Sequence, residues 1–325
     1  MTHSPVAVIT GASSGLGRAT AIALAKRGAR LVLVGRRDAS LQEVASLCRT
    51  HHTEAAVAVA DTADAEALER AAESAERGFG RIDYWINAAG VSSYGRFWEL
   101  PPEEFARVID VDVHGYANGA RSALARMLPR DRGVIVNVAS ILGEVPQPFS
   151  SPYSMSKAAV IAFGRSLAAE LALSGSHVRV VTVKPPALDT PIFQHSGNHT
   201  GRAVRALPPV YPVHAAVRTI LSALHNPRRR ERDVTVAGGM LVRRHQRHPR
   251  SVEAAIAAQT AAGQFERTTE RPHSGNLFEP SPAPGSITGG WHGRRAQTRR
   301  TLVGLATAAG AVALVARAMR RSSSA

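Results

Sequence analysis

Lysine is nearly missing from this chain. Lys26, Lys157 and Lys184 stand against 37 arginines, so a lysine inside a motif is not there through abundance. Cysteine is scarcer still. Cys48 alone excludes an intramolecular disulfide framework and reads as a small packing residue. Aromatic residues make up 5% of the chain and are not interleaved with its basic clusters, which argues against a specific nucleic-acid surface. The thirteen histidines form no convincing metal-ligand spacing. His195 and His199 are four apart but fall in a Gly- and Asn-containing stretch, so no metal is expected. No apolar stretch precedes the first expected strand, and secretion by a signal peptide is not anticipated.

Against this background Tyr153 and Lys157 stand out, one helical turn apart, with Ser140 thirteen residues upstream. A tyrosine with a pKa of about 10 is a poor proton donor or acceptor at neutral pH. A neighbouring ammonium favours the phenolate and makes the side chain usable for general acid–base work on a carbonyl or alcohol. By itself the spacing is a weak signal.

The N-terminus adds a second signal. Residues 6–10 form a β-branched apolar run, Gly11-Ala12-Ser13-Ser14-Gly15-Leu16-Gly17 follows at once, and an alanine-rich helix is expected over 18–27. Strand, glycine turn and helix start together make a phosphate cradle, because the glycines permit close approach and the helix N-terminus offers free N–H groups. The spacing G-x-x-x-G-x-G differs from the commoner G-x-G-x-x-G.

With Thr10–Gly17 in place, the chain resembles the short-chain dehydrogenase/reductase family. Three further stretches carry the resemblance: Asn87-Ala88-Ala89-Gly90, Val136-Asn137-Val138-Ala139-Ser140, and Tyr153-Ser154-Met155-Ser156-Lys157. It runs from about residue 5 to 238. Strands are expected at 6–10, 30–34, 55–60, 82–87, 133–138, 178–183 and 233–237, and helices at 63–77, 103–128, 153–173 and 212–224. This alternation predicts an α/β fold, a Rossmann-type doubly wound parallel sheet of about seven strands. One domain over 1–240 would then carry an appended helix (251–267) and a Pro/Gly/Ser-rich linker, or a segment lying over the domain, within 241–290. A basic-hydrophobic tail fills 291–325. The motifs all follow strand C-termini, where ligands bind on such sheets.

The resemblance assigns roles. Ser140 orients the substrate oxygen, Tyr153 exchanges the proton, and Lys157 tunes the tyrosine and holds the nicotinamide ribose. The cofactor set is Thr10, Gly11, Ser13, Ser14, Gly15, Leu16, Gly17, Asp61 against adenine, Asn87, Ala88, Gly90, Lys157 and Pro185. After the second strand the chain reads Gly35-Arg36-Arg37, with no carboxylate before Asp38. Arginine suits a 2′-phosphate, and in the resembled family a basic residue here goes with NADP rather than NAD. Two positions depart from the family pattern. Asp112 stands where an asparagine is expected in the catalytic set, placing a negative charge beside Lys157. Lys184-Pro185-Pro186 replaces a proline-glycine turn and removes a backbone donor.

The substrate is read as a fairly hydrophobic carbonyl or alcohol, with a lid over 188–209 and a pocket lined by Tyr94, Phe97, Trp98 and the 143–151 loop. The alternative reading is a catalytically lapsed nucleotide-binding scaffold held at a membrane. Assembly into a homo-oligomer is left open. The first 225 residues balance 23 basic against 19 acidic side chains, while the remainder carries 17 against 6. Residues 301–316 run uncharged between Arg300 and Arg317. Sixteen helical residues span roughly 24 Å, short of a bilayer core of about 30 Å. A membrane anchor on a cytoplasmic catalytic domain, a helix lying on an anionic surface and a soluble tail all remain open readings.

Overall fold

The computed structural model describes residues 4–291. Seven strands form one fully parallel sheet: β1 (Val6–Thr10), β2 (Arg30–Gly35), β3 (Ala55–Val59), β4 (Tyr84–Asn87), β5 (Val134–Val138), β6 (Arg179–Lys184) and β7 (Glu231–Asp233). Their spatial order is β7-β6-β5-β4-β1-β2-β3. The order reverses between β1 and β4, which opens a crevice at the strand C-termini. The doubly wound sheet expected from the alternating pattern is therefore present.

Strand periodicity splits the core into two layers. Ala7, Ile9, Leu31, Leu33, Val136 and Val181 face one side and pack with α1 (Gly15–Ala25), α2 (Asp38–Arg49) and α7 (Val213–His225). Val8, Val32, Val34, Trp85 and Ile135 face the other, against α3 (Ala65–Phe79), α5 (Gly115–Met127) and α6 (Ser151–Leu173). Cys48 is fully buried in the first layer, where burial pushes its thiol up to about 11.

Three elements differ from the sequence expectation. The helix expected over 103–128 is divided into α4 (Pro102–Ile109), a π turn at Asp110–His114, and α5. The wider turn carries Asp112, and such turns recur at functional sites. The last strand ends at Asp233 rather than beginning there. Thr235 Oγ1 accepts from Gly238 N at 3.0 Å and caps α8 (Val236–Arg247), so Val236 and Ala237, expected in the strand, open a helix. The appended helix is α9 (Pro249–Gly263). It stops at Gly263 because Phe265 turns inward to pack with Tyr94 and Val204. Phe265–Thr269 then pairs antiparallel with Arg202–Val204.

Among the described residues no helix is long and apolar enough to cross a membrane. The stretch 301–316, and the tail beyond Trp291, lie outside the described residues.

Candidate active site

The turn after β1 is built by close backbone approach. Gly11 has φ +67°, and a Cβ there would lie 2.7 Å from the Ala89 Cα. Thr10, itself buried, accepts from Ala88 N at 3.0 Å and Ala89 N at 3.2 Å through its hydroxyl. The loops after β1 and β4 are thereby fastened together. Asn87 is fully buried. It accepts from Trp85 Nε1 at 2.8 Å and donates to Asn137 Oδ1 at 2.9 Å, so it ties β4 to β5.

One cavity of about 380 Å³ runs along the strand ends. Its walls bring together Gly11, Ser13, Ser14, Gly15, Leu16, Arg36, Asp61, Ala88, Gly90, Ser140, Tyr153, Lys157 and Pro185. Five residues of the expected set stand behind the wall instead. Thr10 and Asn87 position the loops, Gly17 packs on the Gly11 carbonyl, Asp112 backs Lys157, and Arg37 reaches outward. Tyr94 lines the cavity, as do Val145 and Gln147 of the 143–151 loop. Phe97 and Trp98 do not. They are 65% and 79% exposed, on a short turn directed to solvent. His199 is also outside, paired with the buried Glu104 at 2.9 Å.

Lys157 Nζ lies 2.9 Å from Asp112 Oδ2 and 5.3 Å from the Tyr153 ring centre. It also donates to the Tyr116 hydroxyl at 3.3 Å. Asp112 Oδ1 accepts from Val91 N at 2.8 Å. Burial pushes the Asp112 carboxyl up, against the pull of Lys157. Tyr153 is held above the ordinary phenol value, chiefly by burial. Lys157 lowers it, while Asp112 opposes that lowering. Lys157 thus acts on Tyr153 in the direction the sequence implies, but burial outweighs it and Asp112 works against it. Ser140 Oγ accepts from Leu142 N at 3.1 Å and lies 3.5 Å from the Pro185 carbonyl.

Comparison with known proteins decides the lineage. The family model described as short chain dehydrogenase matches residues 5–201. The chain belongs to the short-chain dehydrogenase family. An uncharacterized oxidoreductase of Bacillus subtilis, YxnA, is 32% identical over 228 residues, covering 69% of this chain and 64% of that protein. The chain therefore spans less than two thirds of that relative's length. A short-chain dehydrogenase/reductase of Burkholderia phymatum, solved in complex with NAD, has a TM-score of 0.70 at 27% identity. That match covers 76% of this chain and 95% of the other. An alcohol dehydrogenase of Thermococcus sibiricus, complexed with 5-hydroxy-NADP, has a TM-score of 0.63 at 26% identity, covering 71% and 96%.

Several residues of this short-chain dehydrogenase site carry no motif. The Tyr116 hydroxyl, with one proton to donate, lies within hydrogen-bond reach of the carbonyls of Ala89 (2.9 Å) and Val138 (2.8 Å), while its ring faces Lys157 at 4.8 Å. Arg107 pairs with Asp61, the residue expected against adenine. Arg36 lies 4.0 Å from the same carboxylate. Lys184 is buried between Glu231 (2.7 Å), Glu144 (3.1 Å) and Asp233 (3.5 Å), fixing the turn into Pro185. Each of these partners lies more than twenty residues from its mate in the chain, so no local spacing marks the contacts.

Proposed function

We propose that this chain is an NADP-dependent oxidoreductase that interconverts a fairly hydrophobic carbonyl compound and its alcohol, with Tyr153 as the general acid and base. The observation that carries this reading is the single cavity that has the glycine loop at one end and Ser140 and Tyr153 at the other. The residues fit a dinucleotide. The Gly11 turn leaves no room for a side chain, so backbone faces the cavity at the start of α1, where an anion is favoured. Arg36 and Arg37 offer forked donors to a 2′-phosphate. The remaining contacts would come from Ser13, Ser14, Gly15, Leu16, Asp61, Ala88, Gly90 and Pro185. The nicotinamide, when bound, supplies or accepts the hydride.

Ser140 Oγ would donate to the substrate oxygen and fix its orientation. The Tyr153 hydroxyl would give that oxygen a proton in reduction and take one in oxidation. Lys157 would hold the ribose side and keep positive charge near the phenol, moderated by Asp112. The apolar walls formed by Leu142, Val145, Phe193, Leu207, Leu241 and Ile256 favour a hydrophobic substrate. Residues 1–240 act as the catalytic unit, and 241–290 cover it. A membrane attachment through 301–316 rests on sequence alone. Deleting 299–325 should release the protein from the membrane fraction, and an unchanged distribution would remove that idea.

The decisive experiment is hydride transfer with a panel of ketones, aldehydes and alcohols, using NADPH and NADH. Turnover with NADPH is expected. Cofactor binding without turnover on any substrate would favour the lapsed scaffold.

A further inference from the structure

We propose that residues 276–286 are an internal ligand of the cofactor cleft, and that cofactor enters as this strap lifts. The inference rests on the dinucleotide reading given above. After Phe265–Thr269 the chain turns back across the C-terminal edge of the sheet. Leu277 is fully buried with Val91, Val108 and Val111, which plants one end of the strap. Arg36 then donates to three consecutive carbonyls, those of Asn276, Leu277 (3.0 Å) and Phe278 (3.0 Å). Arg107 Nε also donates to the Leu277 carbonyl, at 2.9 Å. Arg37 donates to the carbonyls of Ser281 and Ala283. Next, Arg18 Nη1 donates to the Gly285 carbonyl at 2.6 Å, and Gly15 N at the start of α1 donates to the Ser286 carbonyl at 2.7 Å. Beyond the strap proper, Gly289 N and Trp291 N donate to Asp189 Oδ1 at 3.0 and 2.8 Å, at the start of the 188–209 segment.

The order of these contacts follows the dinucleotide. Arg36 and Arg37 mark the 2′-phosphate end, Gly15 the pyrophosphate, and Asp189 the end nearest Pro185 and Pro186. Arg36, Arg37, Arg18 and the Gly15 N–H, all donors suited to an anion, are engaged by backbone carbonyls, and Arg18 also pairs with Glu43. An arginine–carbonyl bond is charge-assisted on the donor side alone, whereas an arginine–phosphate pair joins two ions and is frequently bidentate, so the strap can be displaced by the cofactor but taxes its binding. A protein whose binding-competent state is partly populated shows an apparent Kd equal to the intrinsic one divided by that fraction. Because a 2′-phosphate must take Arg36, the arginine that lines the cavity, from three strap carbonyls, the tax falls more heavily on NADP than on NAD.

Gly285 gives a clean way to dislodge the strap. A Cβ at this position would overlap the Ser13 carbonyl oxygen and approach Arg18 Nη1 to 3.1 Å. In the full-length protein, Gly285→Ala is expected to lower the Kd for NADPH by about tenfold or more, and the Kd for NADH by less. As a second measurement, hydrogen exchange of 276–286 in the unsubstituted protein should quicken on saturation with NADPH. An unchanged or higher Kd in the variant, or slower exchange of these amides with NADPH, would overturn the proposal and make the strap a clasp. If neither protein bound NADPH or NADH, the dinucleotide reading itself would fail, which is distinct from binding without a gain in affinity.

Discussion

Asp112 and Lys157 form an ion pair of 2.9 Å, the carboxylate fully buried and the lysine side chain 3% exposed. The family's lysine is thus neutralised from behind in this chain, and its influence on Tyr153 is divided. A buried pair of this kind is costly to break, because the partner left behind keeps an uncompensated charge.

Asp112→Asn should therefore change both acidity and stability. The Asp112 charge raises the Tyr153 pKa and Lys157 lowers it. Removing the carboxylate lets the lysine act unopposed, so the phenolate forms at lower pH. In alcohol oxidation the rising limb of kcat/KM should move to lower pH, while urea unfolding shows a loss of about 3 kcal/mol. A limb that stays in place would show that Asp112 has no part in the tuning.

Tyr153→Phe keeps the ring and removes only the hydroxyl. Turnover should fall by about 10²-fold or more in both directions, with NADPH affinity preserved. Equal activity of the two proteins would mean that the proton travels by another group.

Arg36→Ala tests cofactor choice. Charge-assisted hydrogen bonds contribute about 1.5–3 kcal/mol, so the preference for NADPH over NADH should fall by at least about tenfold. The ratio of the two constants is the quantity to measure, because Arg36 also holds strap carbonyls. A preference that survives intact would move the 2′-phosphate elsewhere.

Acid sensitivity should centre on Asp83, in the bend directly before β4, where it also accepts from the Val6 N–H of β1. Burial raises its pKa, but Arg81, the Val6 N–H and Arg130 outweigh this, and the carboxyl is held below its ordinary value. Its contribution to stability is complete above an unfolded pKa of about 3.9 and is lost as pH falls through the lower folded value. The stability gap between wild type and Asp83→Asn should therefore close as pH falls below about 4. Urea titrations at stepped pH check this, and a gap constant to pH 2 would contradict it.

The sheet was legible because β-branched runs such as 6–10 and 30–34 are buried on both faces and need no distant partner to be recognised. The glycine loop, Asn87–Gly90, Ser140 and Tyr153–Lys157 were legible because fixed spacings near strand ends put them on one edge. What escaped was contact between distant segments. Nothing local marks Arg107 as the partner of Asp61, or backbone carbonyls of 276–286 as acceptors for Arg36. The Asp110–His114 turn reads as plain helix in the sequence because its side chains keep helical spacing, while in the structure its hydrogen bonds widen. The chemistry of Phe97 and Trp98 suits a pocket wall, yet the turn that carries them faces solvent.

The position of the strap in the chain has a consequence for biosynthesis. Every strand of the sheet, together with the glycine loop, Arg18, Arg36 and Arg37, leaves the ribosome before residue 276. Chains fold from the N-terminus as they emerge, at roughly 5–20 residues per second. The newborn sheet therefore presents its anion donors open for several seconds, and a cofactor met in that interval faces no competitor for them.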